Sequence, residues 1–166
     1  MFFRRDRKPA PLTGSTQLQQ LVQAHMPQAD PETWQLVGAV AGLLAGVAYA
    51  DRDYSAPEQL RVRQALEAVE GIAAGGVDAI CTLLRERIVD IAAINPQAYT
   101  RALRELADVG LRREILELLV ELAAADGELA LSETDLLRRT TAALGLTQDD
   151  YVLAQSRHRD KLKTLR

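Results

Sequence analysis

The sequence predicts an all-α protein, a compact bundle of seven or eight helices in one domain. Apolar residues recur at helical spacing along most of the chain, and no window alternates at period two for long enough to indicate a strand. Ala, Leu, Glu, Gln and Arg dominate the composition, whereas aromatic residues make up only 4% of the 166 residues, and this balance favours helix over sheet. A chain of this length fits a single domain with a sizeable buried core.

Caps and helix breakers set the expected bounds of the first helices. The first helix starts near Ser15 and ends before Pro27, and Asp30 caps the second, which has a Pro in its first turn. Ser55 and Glu58 form the two ends of a capping box that opens the third helix. The expected helices cover about residues 15–25, 31–50, 55–71, 77–94, 95–109, 111–125 and 132–144, with a last one from about 147.

The later helices follow from the same signals. The Gly75-Gly76 pair separates the third helix from the fourth, and Pro96 opens the fifth. Apolar residues at helical spacing define the sixth helix. Gly145 closes the seventh at its C-cap position, and Thr147 starts the capping segment of the eighth.

The most apolar stretch, from Leu36 to Ala50, predicts a buried helix of the bundle. It is only 15 residues long and rich in Gly and Ala, so it is too short and too weakly hydrophobic to span a bilayer comfortably. Small residues recur every four positions at Gly38, Gly42, Gly46 and Ala50. Such a stripe would pair helices in a membrane, and here it predicts an unusually close helix neighbour. Because the N-terminus also lacks the order of a signal peptide, we expect a cytoplasmic protein.

The formal net charge of −3 conceals an uneven distribution. Basic side chains concentrate in residues 1–14 and 157–166, so residues 15–156, the expected helical domain, are strongly acidic. An acidic body repels phosphates, and nucleic acid is therefore not an expected partner. We expect a mobile basic tail at the N-terminus and a solvated basic tail at the C-terminus, with weak peripheral contact to anionic membranes or an acidic protein as the alternative.

No pattern in the sequence indicates an enzyme. His25 and His158 fall in the expected terminal helices, far along the chain from any candidate nucleophile or ligand. Nucleophile-elbow, phosphate-loop and zinc-protease motifs are absent from the sequence. The single cysteine, Cys81, lies in an apolar row and is expected to be a buried thiol that packs as a small hydrophobe.

Two segments of the chain repeat one pattern at an offset of 75 residues. Residues 43–58 read LLAGVAYADRDYSAPE, and residues 118–133 read LLVELAAADGELALSE. In each, an apolar helical run ends in Ala-Asp, an acid follows two positions later, and a Glu stands at the eighth position counted from the Asp. The repeat predicts a pseudo-twofold pair of helix–loop–helix units. The matched carboxylates are Asp51, Asp53 and Glu58 in the first unit and Asp126, Glu128 and Glu133 in the second.

These carboxylates predict a site for Ca²⁺ or Mg²⁺. Asp51 and Asp126 stand at the C-terminal end of a helix, where the helix dipole disfavours negative charge by ~0.3–1 kcal/mol. A divalent cation reverses that penalty, and carboxylate oxygens are the ligands that both ions prefer. The spacing is shorter than that of an EF-hand loop, so we expect a weak or shared site. Turn formation and helix capping are the alternative roles of the same acids.

At these loops the chain resembles the TerB family of tellurite-resistance proteins, a domain type also found in the co-chaperone DjlA. The resemblance rests on residues 125–133, which begin Ala-Asp-Gly-Glu-Leu, on the helix closed by Gly145, and on residues 50–58. It covers about residues 30–155. It implies a helical fold with an acidic, metal-binding face and a non-enzymatic role in bacterial stress response. The alternative is a metal-free helical scaffold that binds another, unknown protein.

The first loop departs from the family pattern at its second position. The family has Gly there, as in Gly127, whereas the first loop has Arg52. If the position requires a positive φ, Arg52 is strained, and its guanidinium can pair with Asp51 or Asp53 in place of an ion. We therefore expect the second loop to be the better ion site.

Overall fold

Eight α-helices follow one another in the computed structural model, which describes residues 14–93, 96–125, 127, 129 and 131–164. No strand occurs among these residues, so the all-α prediction is confirmed. The pseudo-twofold relation and the domain boundaries remain predictions. The helices are α1 (Gly14–His25), α2 (Pro31–Ala48), α3 (Ala56–Glu67), α4 (Gly76–Ala93), α5 (Pro96–Leu106), α6 (Val109–Ala123), α7 (Leu131–Ala143) and α8 (Gln148–Thr164).

Side-chain caps fix the starts of several helices. The backbone N–H of Thr33 donates to Oδ1 of Asp30 at 2.8 Å, which caps α2 as predicted. Helix α6 begins two residues earlier than the apolar pattern predicted, because Asp108 caps it and accepts from the N–H of Leu111 at 2.8 Å. Helix α3 ends at Glu67, earlier than expected.

Helix α2 is the centre of the bundle and packs against α1, α3, α4, α5, α6 and α7. Most of its residues are buried, as expected for a helix that is apolar on all sides. The predicted close approach holds at two of the three glycines. A Cβ at Gly38 would lie 2.5 Å from the side-chain amide oxygen of Gln19 in α1, and a Cβ at Gly42 would lie 2.5 Å from the ring of Tyr99 in α5. At Gly46 a Cβ would meet nothing within 4 Å, so this position faces open space.

Arg157 and Lys161, two of the basic residues near the C-terminus, belong to helix α8, which continues to Thr164. Arg157 pairs with Glu117 of α6, and Lys161 pairs with Glu121 one turn further along α6. Glu121 also pairs with Arg61 of α3, so one carboxylate joins three helices. These basic side chains therefore hold α8 against the bundle as well as facing solvent, whereas residues 1–13, most of the expected N-terminal tail, lie outside the described residues.

The remaining sequence expectations concern burial and the membrane. Cys81 is buried, as predicted. Burial raises the pKa of its thiol, so the thiol stays protonated, as expected for a side chain that packs as a small hydrophobe. No helix in the described part of the chain has both the length and the apolar character that a bilayer crossing requires.

Candidate metal centre

Two glutamates occupy the same position in two different helices and are both buried. Glu58 is the third residue of α3 and Glu133 is the third residue of α7. Their exposed fractions are 0% and 1%. Glu58 is held by the predicted capping box: its Oε2 accepts the backbone N–H of Ser55 at 2.8 Å, and its own N–H donates to the Ser55 hydroxyl at 3.4 Å. The cap thus directs the Glu58 carboxylate back towards the loop that precedes α3.

Asp51 brings a third carboxylate to this pair. It lies in the turn after α2 and is exposed, and its Oδ1 accepts the backbone N–H of Asp53 at 3.0 Å. One carboxylate oxygen from each of Asp51, Glu58 and Glu133 lies within 4.8 Å of the other two. The group therefore joins the loop after α2 to the N-terminal turns of α3 and α7.

Three carboxylates this close repel one another when all are ionised. At an effective dielectric constant of about 20, two unit charges at this separation cost on the order of 3 kcal/mol, and burial of Glu58 and Glu133 adds desolvation. A cation between the oxygens would turn this repulsion into attraction. Metal–oxygen distances of roughly 2.3–2.6 Å for Ca²⁺ allow ligand oxygens to lie up to about 5 Å apart. The spacing of the three oxygens thus fits a hard divalent cation.

The six predicted ligands have different outcomes. Three of them, Asp51, Glu58 and Glu133, form the group described above. Asp53 is exposed and is not part of this group. Asp126 and Glu128 lie outside the described residues, so the prediction that the second loop is the better ion site stays a prediction.

The second position of both loops is left-handed, as the family pattern required. Arg52 has φ 65°, and Gly127 has φ 121°. Among the described residues Arg52 is the only non-glycine with positive φ, a conformation that costs a residue with a Cβ roughly 1 kcal/mol or more. The expected ion pair of Arg52 with Asp51 or Asp53 does not form within the described part of the chain.

Arg52 instead lines a cavity of about 730 Å³ that the sequence did not reveal. The cavity lies between the C-terminal part of α2, the end of α4 and helix α7, and Arg139 of α7 also lines it. It adjoins the carboxylate group, because Arg52 directly follows Asp51 and the lining residue Ser132 directly precedes Glu133. Its walls come from three separated segments, and only their packing creates it.

Comparison with known proteins identifies the family of the chain. The family described as tellurite resistance protein TerB matches residues 38–156, which include both acidic loops. No curated protein matches the chain significantly. No solved structure does so either. Because the matched segment covers most of the sequence and contains the carboxylate group, the chain belongs to the TerB family of tellurite resistance proteins.

Proposed function

We propose that this protein is a non-enzymatic TerB module that binds a divalent cation, Ca²⁺ or Mg²⁺, in its acidic site and acts in bacterial stress response such as tellurite resistance. The observation that carries the proposal is the approach of Asp51, Glu58 and Glu133 to within 4.8 Å, with two of the three carboxylates buried. Asp126 and Glu128 of the second loop are proposed as further ligands. The TerB family is generally non-enzymatic, which supports a binding role.

The donor atoms favour a hard cation. All three side chains of the group offer carboxylate oxygens, the preferred ligands of Ca²⁺ and Mg²⁺. The softer donors Cys81, His25 and His158 are not part of it, which argues against zinc. Ca²⁺ tolerates irregular geometry and more ligands, so it suits a loop-built site better than Mg²⁺ does.

The proposed ion would connect α7 to the segment formed by the α2–α3 loop and the start of α3, which is distant from α7 in the chain. Its ligands come from the loop after α2 and from the first turns of α3 and α7. Binding would draw these three segments together, and the surface formed by the two loops would then depend on occupancy. Coupling of ion binding to a protein partner is the role that this arrangement supports best.

Calorimetric titration of the full chain with CaCl₂ and MgCl₂ tests the proposal. We expect one site with a dissociation constant on the order of 0.1 mM, typical of weak calcium modules. At about 100 times the dissociation constant, the ion should stabilise the fold by ~2.7 kcal/mol and raise Tm by about 5–10 °C.

Variants separate the proposed site from general charge effects. Glu133→Gln removes one carboxylate of the group and should abolish the heat of binding. Asp53→Asn makes the same charge change in the first loop but outside the group, and should retain most of it. Absence of heat for both ions, together with a Tm that is equal in chelator and in 10 mM metal, would contradict ion binding and favour the metal-free interaction scaffold.

A further inference from the structure

The open cavity beside the carboxylate group has the volume of a small-molecule site. Its volume of about 730 Å³ falls within the range of roughly 300–1,000 Å³ that ligand pockets occupy. It is separate from the carboxylate group, since none of Asp51, Glu58 and Glu133 lines it.

Two arginines give the cavity its charge. Neither Arg52 nor Arg139 forms an ion pair with any residue in the described part of the chain. The described side-chain bond of Arg139 is the donation of its Nε–H to the carbonyl oxygen of Asp135, at 3.4 Å. Each guanidinium therefore keeps its capacity to form paired hydrogen bonds with a carboxylate or phosphate.

The backbone at Arg52 indicates that its side chain has a role. Its φ of 65° is the conformation for which the second loop has Gly127, and glycine would adopt it without strain. An arginine that occupies a strained position and lines a cavity, with no ion pair among the described residues, is a candidate for binding.

One side of the cavity is apolar. Ala92, Ala93 and Leu136 line it there, and Val89 beside them is 58% exposed, whereas Tyr49 and Ser132 also belong to the lining. The space exists partly because Gly46 has no side chain, since a Cβ there would meet nothing within 4 Å. Asp135 also lines the cavity and offsets part of its positive charge, which suits a ligand with a single anionic group.

We propose that this cavity binds a small organic acid, one carboxylate or phosphate group on an aliphatic body of a few carbons. Arg52 and Arg139 hold the anionic group, and the apolar walls cover the body. The neighbouring carboxylates repel an anion, so a cation bound among them should tighten acid binding; this coupling rests on the proposed function.

Titration of the ¹⁵N-labelled full chain, followed by NMR, tests the acid site. The probes are hexanoate, hexyl phosphate and inorganic phosphate, with hexanol as the uncharged control. We expect the Gly46 amide and the Nε–H signals of Arg52 and Arg139 to shift with hexanoate or hexyl phosphate, and not with hexanol. The stronger of the two acids identifies the preferred anionic group, whereas equal binding of inorganic phosphate would overturn the role of the apolar walls.

Three variants and one control locate the site. Arg52→Gly and Arg139→Gln should each weaken binding roughly tenfold, as expected for loss of a charged hydrogen-bond partner. Gly46→Leu fills the space and should abolish binding. Arg138→Gln changes the same charge one residue away on α7, where Arg138 lies over the Tyr151 ring, and should bind like the wild type. Unchanged affinity in Arg139→Gln and Gly46→Leu, or no binding of either acid, would overturn the proposal.

Titrations in chelator and in calcium keep the two proposals apart. Tighter hexanoate binding in calcium supports the coupling, and equal binding in both conditions overturns the coupling alone. Calcium binding without binding of either acid overturns the acid site and leaves the ion site supported. Binding of an acid without calcium binding supports the acid site and overturns the ion site.

Discussion

Glu58 and Glu133 stand 75 residues apart in the chain, yet each is the third residue of its helix and their carboxylate oxygens lie within 4.8 Å of one another. Both side chains are buried, and Asp51 brings a third carboxylate to them. A calcium ion bound among these oxygens would join α7 to the loop that precedes α3. This arrangement gives a direct prediction for stability.

Glu133→Gln should lose the Tm increase that calcium produces in the wild type, because it removes one of the three carboxylates that approach one another to within 4.8 Å. Asp53→Asn, which changes a carboxylate outside this group, should keep the increase. Thermal melting of both variants in EDTA and in 10 mM CaCl₂ measures the effect. A Glu133→Gln variant that calcium stabilises as much as it stabilises the wild type would contradict Glu133 as a ligand.

Arg52→Gly should stabilise the protein by about 1 kcal/mol, because glycine adopts a φ of 65° without strain and the Arg52 side chain has no described ion pair to lose. Urea unfolding at pH 7 measures the change. Arg85→Gly, at an exposed position inside α4, is the control and should destabilise by about 1 kcal/mol, as glycine does within helices. Destabilisation by both substitutions would contradict strain at Arg52.

Gly42→Ala and Gly46→Ala should have opposite effects although both lie in α2. A Cβ at Gly42 would lie 2.5 Å from the Tyr99 ring, so α5 must shift and the variant should lose about 1–3 kcal/mol. A Cβ at Gly46 meets nothing within 4 Å, so the higher helix propensity of alanine should add up to about 1 kcal/mol. Urea unfolding measures the free energy of unfolding of both variants. Equal changes in this free energy would contradict close packing of Tyr99 against Gly42.

Asp150 should stabilise the fold at neutral pH and lose this effect in acid. Its Oδ2 accepts the backbone N–H of Thr147 at 2.8 Å and its Oδ1 accepts from Arg113 at 2.8 Å, and the bond from Thr147 is the main reason that its pKa is lowered. A carboxyl with a folded pKa below its unfolded value contributes its full stability above the unfolded pKa of about 3.9. That contribution falls as the pH drops through the folded pKa.

Urea unfolding of Asp150→Asn between pH 7 and pH 3 measures this contribution. The variant should be less stable than the wild type by about 1 kcal/mol at pH 7, and the difference should shrink below about pH 4. Asp149→Asn is the matched control, since Asp149 is the exposed neighbour in the same helical turn and its side chain makes no hydrogen bond within the described residues. A difference for Asp150→Asn that is constant with pH would rule out this linkage.

Glu121→Gln should destabilise the bundle more than Glu117→Gln does. Glu121 pairs with both Arg61 of α3 and Lys161 of α8, whereas Glu117 pairs with Arg157 alone in the described part of the chain. Exposed pairs contribute about 0.2–1 kcal/mol each, so the expected loss for Glu121→Gln is about 1 kcal/mol in low salt. Urea unfolding at low salt and in 1 M NaCl should show the difference decrease with salt; a salt-independent loss would indicate packing instead of charge.

Local sequence signals are sufficient to place the helices of this protein. Caps such as Asp30 and Ser55 and breakers such as Gly145 located the eight helices to within a few residues, because these signals act over one or two turns of chain. The loop pattern likewise identified the left-handed position at which Arg52 stands for Gly127. The acids of both loops, Glu58 and Glu133 included, were also visible as a repeat.

Which of these residues come into contact depends on how the helices pack. No local pattern encodes the angle at which two helices cross, so the approach of Glu133 to Asp51 and Glu58, with Asp53 outside the group, depends on the packing of α3 and α7 around α2. The same holds for the pairing of Lys161 with Glu121 and for the cavity between α2, α4 and α7. Helix positions follow from short-range physics, whereas sites built from several helices follow from the way the whole core fills its space.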